Sequence, residues 1–232
     1  MVLLLIACVP LFYLWRLGRG PNPWPRAFLG GISSIAGVRI TVTGEPVDQG
    51  TFLLVNHVSW IDIPALAGAT GTAFVAHDGL AGVPFLRWLC EMNETIFIAR
   101  RDRSSIARQV AQVREAVRNT RPLTIFPEGT TSDGTALLPF KSSLLSALDP
   151  LPDGMAMRPV LLDYGAEAAD IAWVGEEPGL DNFIRILART RAVKLTVHLL
   201  PPLSGDALAN RKTMTAAAQD ALSARLTGPV SG

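Results

Sequence analysis

His57 and Asp62 stand close together in the run Asn56-His57-Val58-Ser59-Trp60-Ile61-Asp62. An imidazole is the side chain best suited to take a proton near neutral pH. A carboxylate accepting from its Nδ1 would fix the tautomer that leaves Nε2 as an acceptor, and would support the cation formed when a proton arrives. The pair can therefore deprotonate a hydroxyl. The same spacing also fits a plainer arrangement, in which Ser59 caps a helix, Asp62 completes a capping box and His57 is a loop histidine. Spacing alone leaves both open.

A second polar cluster occurs at Ile125-Phe126-Pro127-Glu128-Gly129-Thr130-Thr131-Ser132. Gly129 allows the backbone to approach a ligand closely, with the Glu128 carboxylate and three hydroxyls around it. An ordinary turn has the same composition.

Both clusters follow apolar segments that read as strands. Thr51 to Val55 suits a strand buried on both faces, and Pro122 to Ile125 is a shorter one. Open α/β sheets place chemistry at strand ends. Further strands are expected over 37–44, with Val38, Ile40 and Val42 on one face, and over 71–76, 95–99, 157–163 and 192–200. Helices are expected from Asp62 to Leu66, over 104–119, where Ile106, Val110, Val113 and Val117 form a stripe, and over 205–226. The segment 79–89 reads as a buried helix, or else as a wall of an apolar channel or a membrane-dipping surface. His198 reads as a histidine packed within a late strand. The alternation predicts an α/β fold with a mostly parallel central sheet covered by helices, and an N-terminal apolar membrane-anchoring segment.

The two clusters, with two further blocks, resemble the 1-acylglycerol-3-phosphate acyltransferase family. The first block reads Asn-His-x-Ser-Trp-x-Asp at 56–62; Ile96 to Arg100, Phe126 to Thr130 and Arg158-Pro159-Val160 follow in the family's order. The resemblance covers roughly Val38 to Val160. It implies transfer of a fatty acyl group from the thioester of coenzyme A or acyl carrier protein to a free hydroxyl of a lysolipid. His57 would be the base and Asp62 its orienting partner. Asn56, Ser59, Arg100, Arg101, Glu128, Gly129, Thr130, Thr131 and Lys141 would lie at the substrates, with Arg100 on the acceptor's phosphate. Arg103 would add to the positive patch. No metal and no cofactor beyond the thioester co-substrate are implied. A thioester is already activated, so base catalysis, positioning and oxyanion stabilisation suffice. The nucleophile elbow, phosphate loop, dinucleotide fingerprint and zinc-protease motif are all missing from the sequence.

Two positions depart from the family pattern. His77 follows the third strand where a lysine is common, and Thr131 stands where an arginine commonly follows Glu-Gly-Thr. These losses leave room beside lysophosphatidate, the family's commonest acceptor, for a zwitterionic one such as lyso-ornithine lipid.

Met1 to Trp15 is almost wholly apolar, and Arg16, Arg19 and Arg26 follow. As a helix it would reach about 22 Å at ~1.5 Å per residue, short of the roughly 30 Å hydrocarbon core, so a shallow anchor and a strained span compete. Residues 1–22 are expected to form the membrane-associating segment and 23–232 the acyltransferase domain. The arginines would place that domain on the cytoplasmic side. Cys8 and Cys90 make neither a disulfide framework nor a zinc site an expected feature. A formal net charge of +1 argues against a nucleic-acid partner. Two other readings use the same residues. One is a thioester hydrolase with water as acceptor, and the other a metal-dependent phosphohydrolase built on His57, Asp62 and His77.

Overall fold

The computed structural model describes residues 1–18, 20–77, 82–98 and 121–227. Its strands are β1 (Val38–Thr43), β2 (Thr51–Val55), β3 (Ala73–His77), β4 (Ile96–Ile98), β5 (Leu123–Ile125), β6 (Ala156–Asp163) and β7 (Val193–Leu199). They form one sheet in the order β1-β7-β6-β2-β5-β3-β4. Strands β6, β2, β5, β3 and β4 run parallel to one another. The β1–β7 pair is parallel within itself but antiparallel to β6. The architecture is α/β, with a mostly parallel sheet and flanking helices.

Strand β2 is buried along its whole length, and its period-2 alternation feeds two cores. Leu53 and Val55 pack on one face with Leu66, Ile171 and Ile186. Phe52 and Leu54 pack on the other with Leu145, Met214, Ala218 and Leu222. The described helices are α1 (Val2–Trp15), α2 (Trp24–Ile35), α3 (Asp62–Thr70), α4 (Pro84–Met92), α5 (Ala168–Ile171), α6 (Gly179–Leu187) and α7 (Arg211–Thr227).

The expected helix over 205–226 is divided. A 3-10 turn at Gly205–Leu208 precedes α7, and Asn210 intervenes as a cap. Its Oδ1 accepts from the amides of Lys212 and Thr213, at 2.9 and 3.2 Å, while Thr213 Oγ1 accepts from the Asn210 amide at 3.1 Å. Met214, Ala218 and Leu222 then form a single buried stripe. His198 is buried in β7, its Nδ1 at 2.8 Å from Thr43 Oγ1.

Helix α2 has no counterpart in the sequence expectations, because Gly30 and Gly31 lower its propensity. Packing supplies what propensity lacks. A Cβ at Gly68 would lie 2.7 Å from Gly30 Cα, so the α2–α3 crossing requires glycine. Arg26, expected to flank a membrane segment, instead donates to the carbonyls of Gly68 and Ala69 at 3.0 and 2.9 Å.

At the N-terminus, α1 spans 14 residues and packs against α2, burying Cys8 and Phe12. No described helix is long and apolar enough to cross a membrane, so the spanning alternative is not supported. Segment 79–89 also differs from the buried helix anticipated for it. Its residues 79–81 lie outside the described ones, and α4 has no fully buried residue, with Val83, Phe85 and Leu86 exposed. Helix α4 covers an apolar cavity with α1 and α2 through Leu89 and Met92, leaving its other face open. The helix expected over 104–119 lies outside the described residues.

Candidate active site

Strands β5, β2 and β6 are neighbours and parallel, so their C-terminal ends open at one edge of the sheet. The chain leaves β2 into the His57 loop, β5 into the Glu128 loop and β6 into Tyr164. Asn56 continues the β2–β6 pairing with its side chain: Oδ1 accepts from the Leu162 amide at 2.7 Å and Nδ2 donates to the Leu162 carbonyl at 3.1 Å.

His57 is gripped by its backbone on both sides. Its amide donates to Glu128 Oε1 at 3.1 Å. Its carbonyl accepts from the amide and hydroxyl of Ser132, at 2.7 and 3.1 Å. The imidazole stacks on Phe126, with ring centroids 4.1 Å apart and planes within 17°, and Phe126 in turn stacks on Phe74. Those contacts fix the ring's plane. Nδ1 lies 2.7 Å from Asp62 Oδ2. Asp62 Oδ2 also accepts from the amides of Val58 and Ser59, at 2.6 and 2.9 Å, and Oδ1 accepts from the Tyr164 hydroxyl at 2.5 Å.

This geometry resolves the two readings that spacing leaves open. Asp62 does make the reverse half of a capping box, on the Ser59 amide, yet the same oxygen holds His57. Ser59 is not the cap: α3 begins at Asp62 with Ile61 before it, and Ser59 Oγ donates to Asn182 Oδ1 at 3.3 Å. Nδ1 carries the proton toward the carboxylate and Nε2 keeps its lone pair, a tautomer assigned from the hydrogen bonding. The His57 side chain is 18% exposed and that of Asp62 0%, so of the pair only the imidazole reaches the surface.

The other expected substrate residues divide into two groups. Asn56, Ser59, Glu128 and Thr131 spend their side chains on the protein. Glu128 is buried and uses both oxygens on backbone amides, Oε2 accepting from Leu138 at 3.3 Å. Thr131 Oγ1 donates to the Trp173 carbonyl, so where a cation would face a phosphate this chain ties down a wall. Thr130 and Lys141 are exposed. Gly129 has φ +68°, a left-handed conformation that favours glycine, and Lys141 Nζ lies beside it, 3.1 Å from where a Cβ would sit. Arg100, Arg101 and Arg103 lie outside the described residues. Among the described residues, no cluster of three His, Cys, Asp or Glu side chains is placed to hold a metal ion.

Burial raises the Glu128 carboxyl from 4.5 to about 7, and Asp62's charge adds to the rise, against the lowering effect of the two amides. The folded value exceeds the unfolded one, so folding takes up a proton between them. That stabilisation is complete below the unfolded value and is lost as pH rises through the folded value. Between roughly pH 4.5 and 7 it should contribute a fall in stability of at most about 1.4 kcal/mol per pH unit. Glu128→Gln should lack this component. Urea unfolding at a series of pH values checks it, and identical slopes in the two proteins would refute it.

Sequence reasoning missed Phe126 as the platform for the imidazole, Tyr164 as a partner of Asp62, and the whole belt from Ala172 to Leu187. Trp173 donates its amide to the Val58 carbonyl at 2.9 Å. Asn182 donates to Glu177 Oε2 at 2.8 Å, and Arg185 clasps both oxygens of Glu177 at 2.8 Å. Trp60 packs on Phe183. Tyr164 had one available signal, its place directly after an apolar strand whose neighbours end in the polar clusters.

Residues 39–161 match the family model described as Acyltransferase. A lyso-ornithine lipid O-acyltransferase of Rhodobacter capsulatus is 31% identical over 96% of this chain and 86% of its own length. A 1-acyl-sn-glycerol-3-phosphate acyltransferase of Neisseria gonorrhoeae is 36% identical over 46% of this chain and 43% of its own. In fold, the chain is similar to the 1-acyl-sn-glycerophosphate acyltransferase of Thermotoga maritima, with a TM-score of 0.65 over 96% of this chain and 90% of that one, at 20% identity. The matched segment runs through the His57–Asp62 pair and the Glu128 loop that hold each other in place, and the chain therefore belongs to the acyltransferase family and is an acyltransferase.

Proposed function

We propose that the chain moves a fatty acyl group from a thioester, of coenzyme A or acyl carrier protein, to the free hydroxyl of a lysolipid, and that the preferred acceptor is lyso-ornithine lipid. The observation that carries the reaction is the 2.7 Å contact of His57 Nδ1 with the buried Asp62, beside an imidazole edge that remains exposed. The acceptor O–H gives its proton to His57 Nε2 as the oxygen attacks the thioester carbonyl. The tetrahedral oxyanion then collapses, the C–S bond breaks, and the departing thiolate takes the proton from the imidazolium. Asp62 supports that cation without accepting the proton itself. Lys141 above Gly129 supplies a positive charge to an anionic part of a substrate. No group beyond the thioester co-substrate is called for.

Two observations favour the zwitterionic acceptor. The Rhodobacter relative, and a Pseudomonas aeruginosa lyso-ornithine lipid O-acyltransferase 32% identical over 82% of this chain, match it over most of its length. Thr131 is bonded to the Trp173 carbonyl instead of presenting a cation. Lysophosphatidate is the second reading, favoured by the Neisseria relative. The exposed apolar side chains of α1 and of the start of α4, joined by the 3.2 Å bond from Trp88 Nε1 to Tyr13 Oη, are proposed to rest in the cytoplasmic leaflet, from which the lipid enters.

Purified protein given a labelled acyl thioester and a panel of lysolipids in mixed micelles, with products identified by mass, tests the proposal. Acylated ornithine lipid is the expected main product. Phosphatidic acid as the main product would overturn the acceptor, and free fatty acid formed without any lysolipid would overturn the transfer.

A further inference from the structure

Tyr164 lies just past the residues matched by the family model, at the end of β6, with 4% of its surface exposed. Its hydroxyl reaches Asp62 Oδ1, whereas His57 Nδ1 and the amides of Val58 and Ser59 all fall on Oδ2. A carboxylate held at one oxygen can swing about its Cβ–Cγ bond, but one held at both cannot. No solvent reaches Asp62 to take the phenol's place. Burial, and then the charge of Asp62, raise the phenol's proton affinity well above normal, so it stays a donor throughout the working range.

We propose that Tyr164 is a positioning residue for acyl transfer: by holding Asp62 Oδ1 it locks the carboxylate in the rotation that keeps Oδ2 on His57. The inference rests on His57 being the base. Asn56 strengthens the lock, since its two bonds to Leu162 tie the end of β6 to the start of the His57 loop. The phenol and the imidazole are thus carried by neighbouring strands with little freedom to separate.

Tyr164→Phe keeps the ring in the core and removes only the hydroxyl. Its kcat should fall about 10- to 100-fold, as expected for a small misplacement of a reacting group, with KM for both substrates little changed. A second readout needs no substrate. The Nδ1 proton of His57 should give a downfield proton resonance, assigned by its loss in His57→Ala, and in Tyr164→Phe that resonance should move or broaden. If the wild type acylates no lysolipid while the resonance responds, the proposed function fails and the positioning contact stands. Should Tyr164→Phe not fold, 3-fluorotyrosine incorporation is the substitute, because the chain has only Tyr13 besides Tyr164. It should shift the same resonance. An unchanged resonance, or an unchanged kcat per folded molecule whatever the loss of Tm, overturns the assignment.

Discussion

His57→Ala is expected to lower kcat by ~10²–10⁴-fold, the contribution typical of a positioned general base, while the protein stays folded. The structural reason for the second half is specific. Asp62 would lose its contact with the imidazole but keep three donors, the amides of Val58 and Ser59 and the Tyr164 hydroxyl. It would therefore not become a bare buried charge, the usual source of a large stability loss. The Glu128 and Ser132 bonds to the backbone of residue 57 do not depend on the side chain. The Phe126 ring would lose its stacking partner, at a cost of about 1 kcal/mol. Steady-state kinetics on the acylation product, alongside thermal unfolding, decide the matter. Near-wild-type turnover would remove His57 from the chemistry, and unfolding would show that the loop depends on the ring.

Asp62→Asn is the second large effect, and it separates catalysis from capping. The amide has one acceptor oxygen where the carboxylate has two, so its NH₂ must face either the three donors now on Oδ2 or the Tyr164 hydroxyl. The hydroxyl is the tolerant neighbour, because it can turn and accept. The fold should therefore survive with a loss of about 1–3 kcal/mol. The imidazolium formed during transfer would then face a neutral group, and kcat should fall on the order of 10³–10⁴-fold. Loss of thermal stability with unchanged kcat would reduce Asp62 to a helix-start residue. A rate loss with the fold retained would show that the charge, and not merely the shape, is used.

How much of this was legible beforehand follows from the range of each interaction. β2 and β5 were readable because continuous apolar runs closed by polar residues have a local signature. The His57–Asp62 contact was readable as a possibility because it closes within one loop and the first turn of a helix. The last helix was readable over 205–226 as a helix, but not its division at Asn210. Helix α2 was not readable, since its two adjacent glycines argue against a helix and only packing justifies them, Gly30 against Gly68 of α3 and Gly31 against Leu4 of α1. The exposed face of α4 was readable only as one of two alternatives, because an apolar run states what would prefer burial and not whether a partner exists.

The sequence by itself determined the chemistry available: an imidazole, a nearby carboxylate and a glycine-bearing acidic turn, each at the end of an apolar strand, in an order that resembles one family. Only the tertiary structure decided how those groups are used. Parallel pairing of β2 with β5 and β6 brings Glu128 onto the His57 amide and Tyr164 onto Asp62, from 71 and 102 residues away along the chain. It also turned Glu128 and Thr131 from ligand-facing residues into supports for the loop and its wall. Hydrogen-bond partners at such separations are set by strand order and register, and neither quantity has a local trace in the chain.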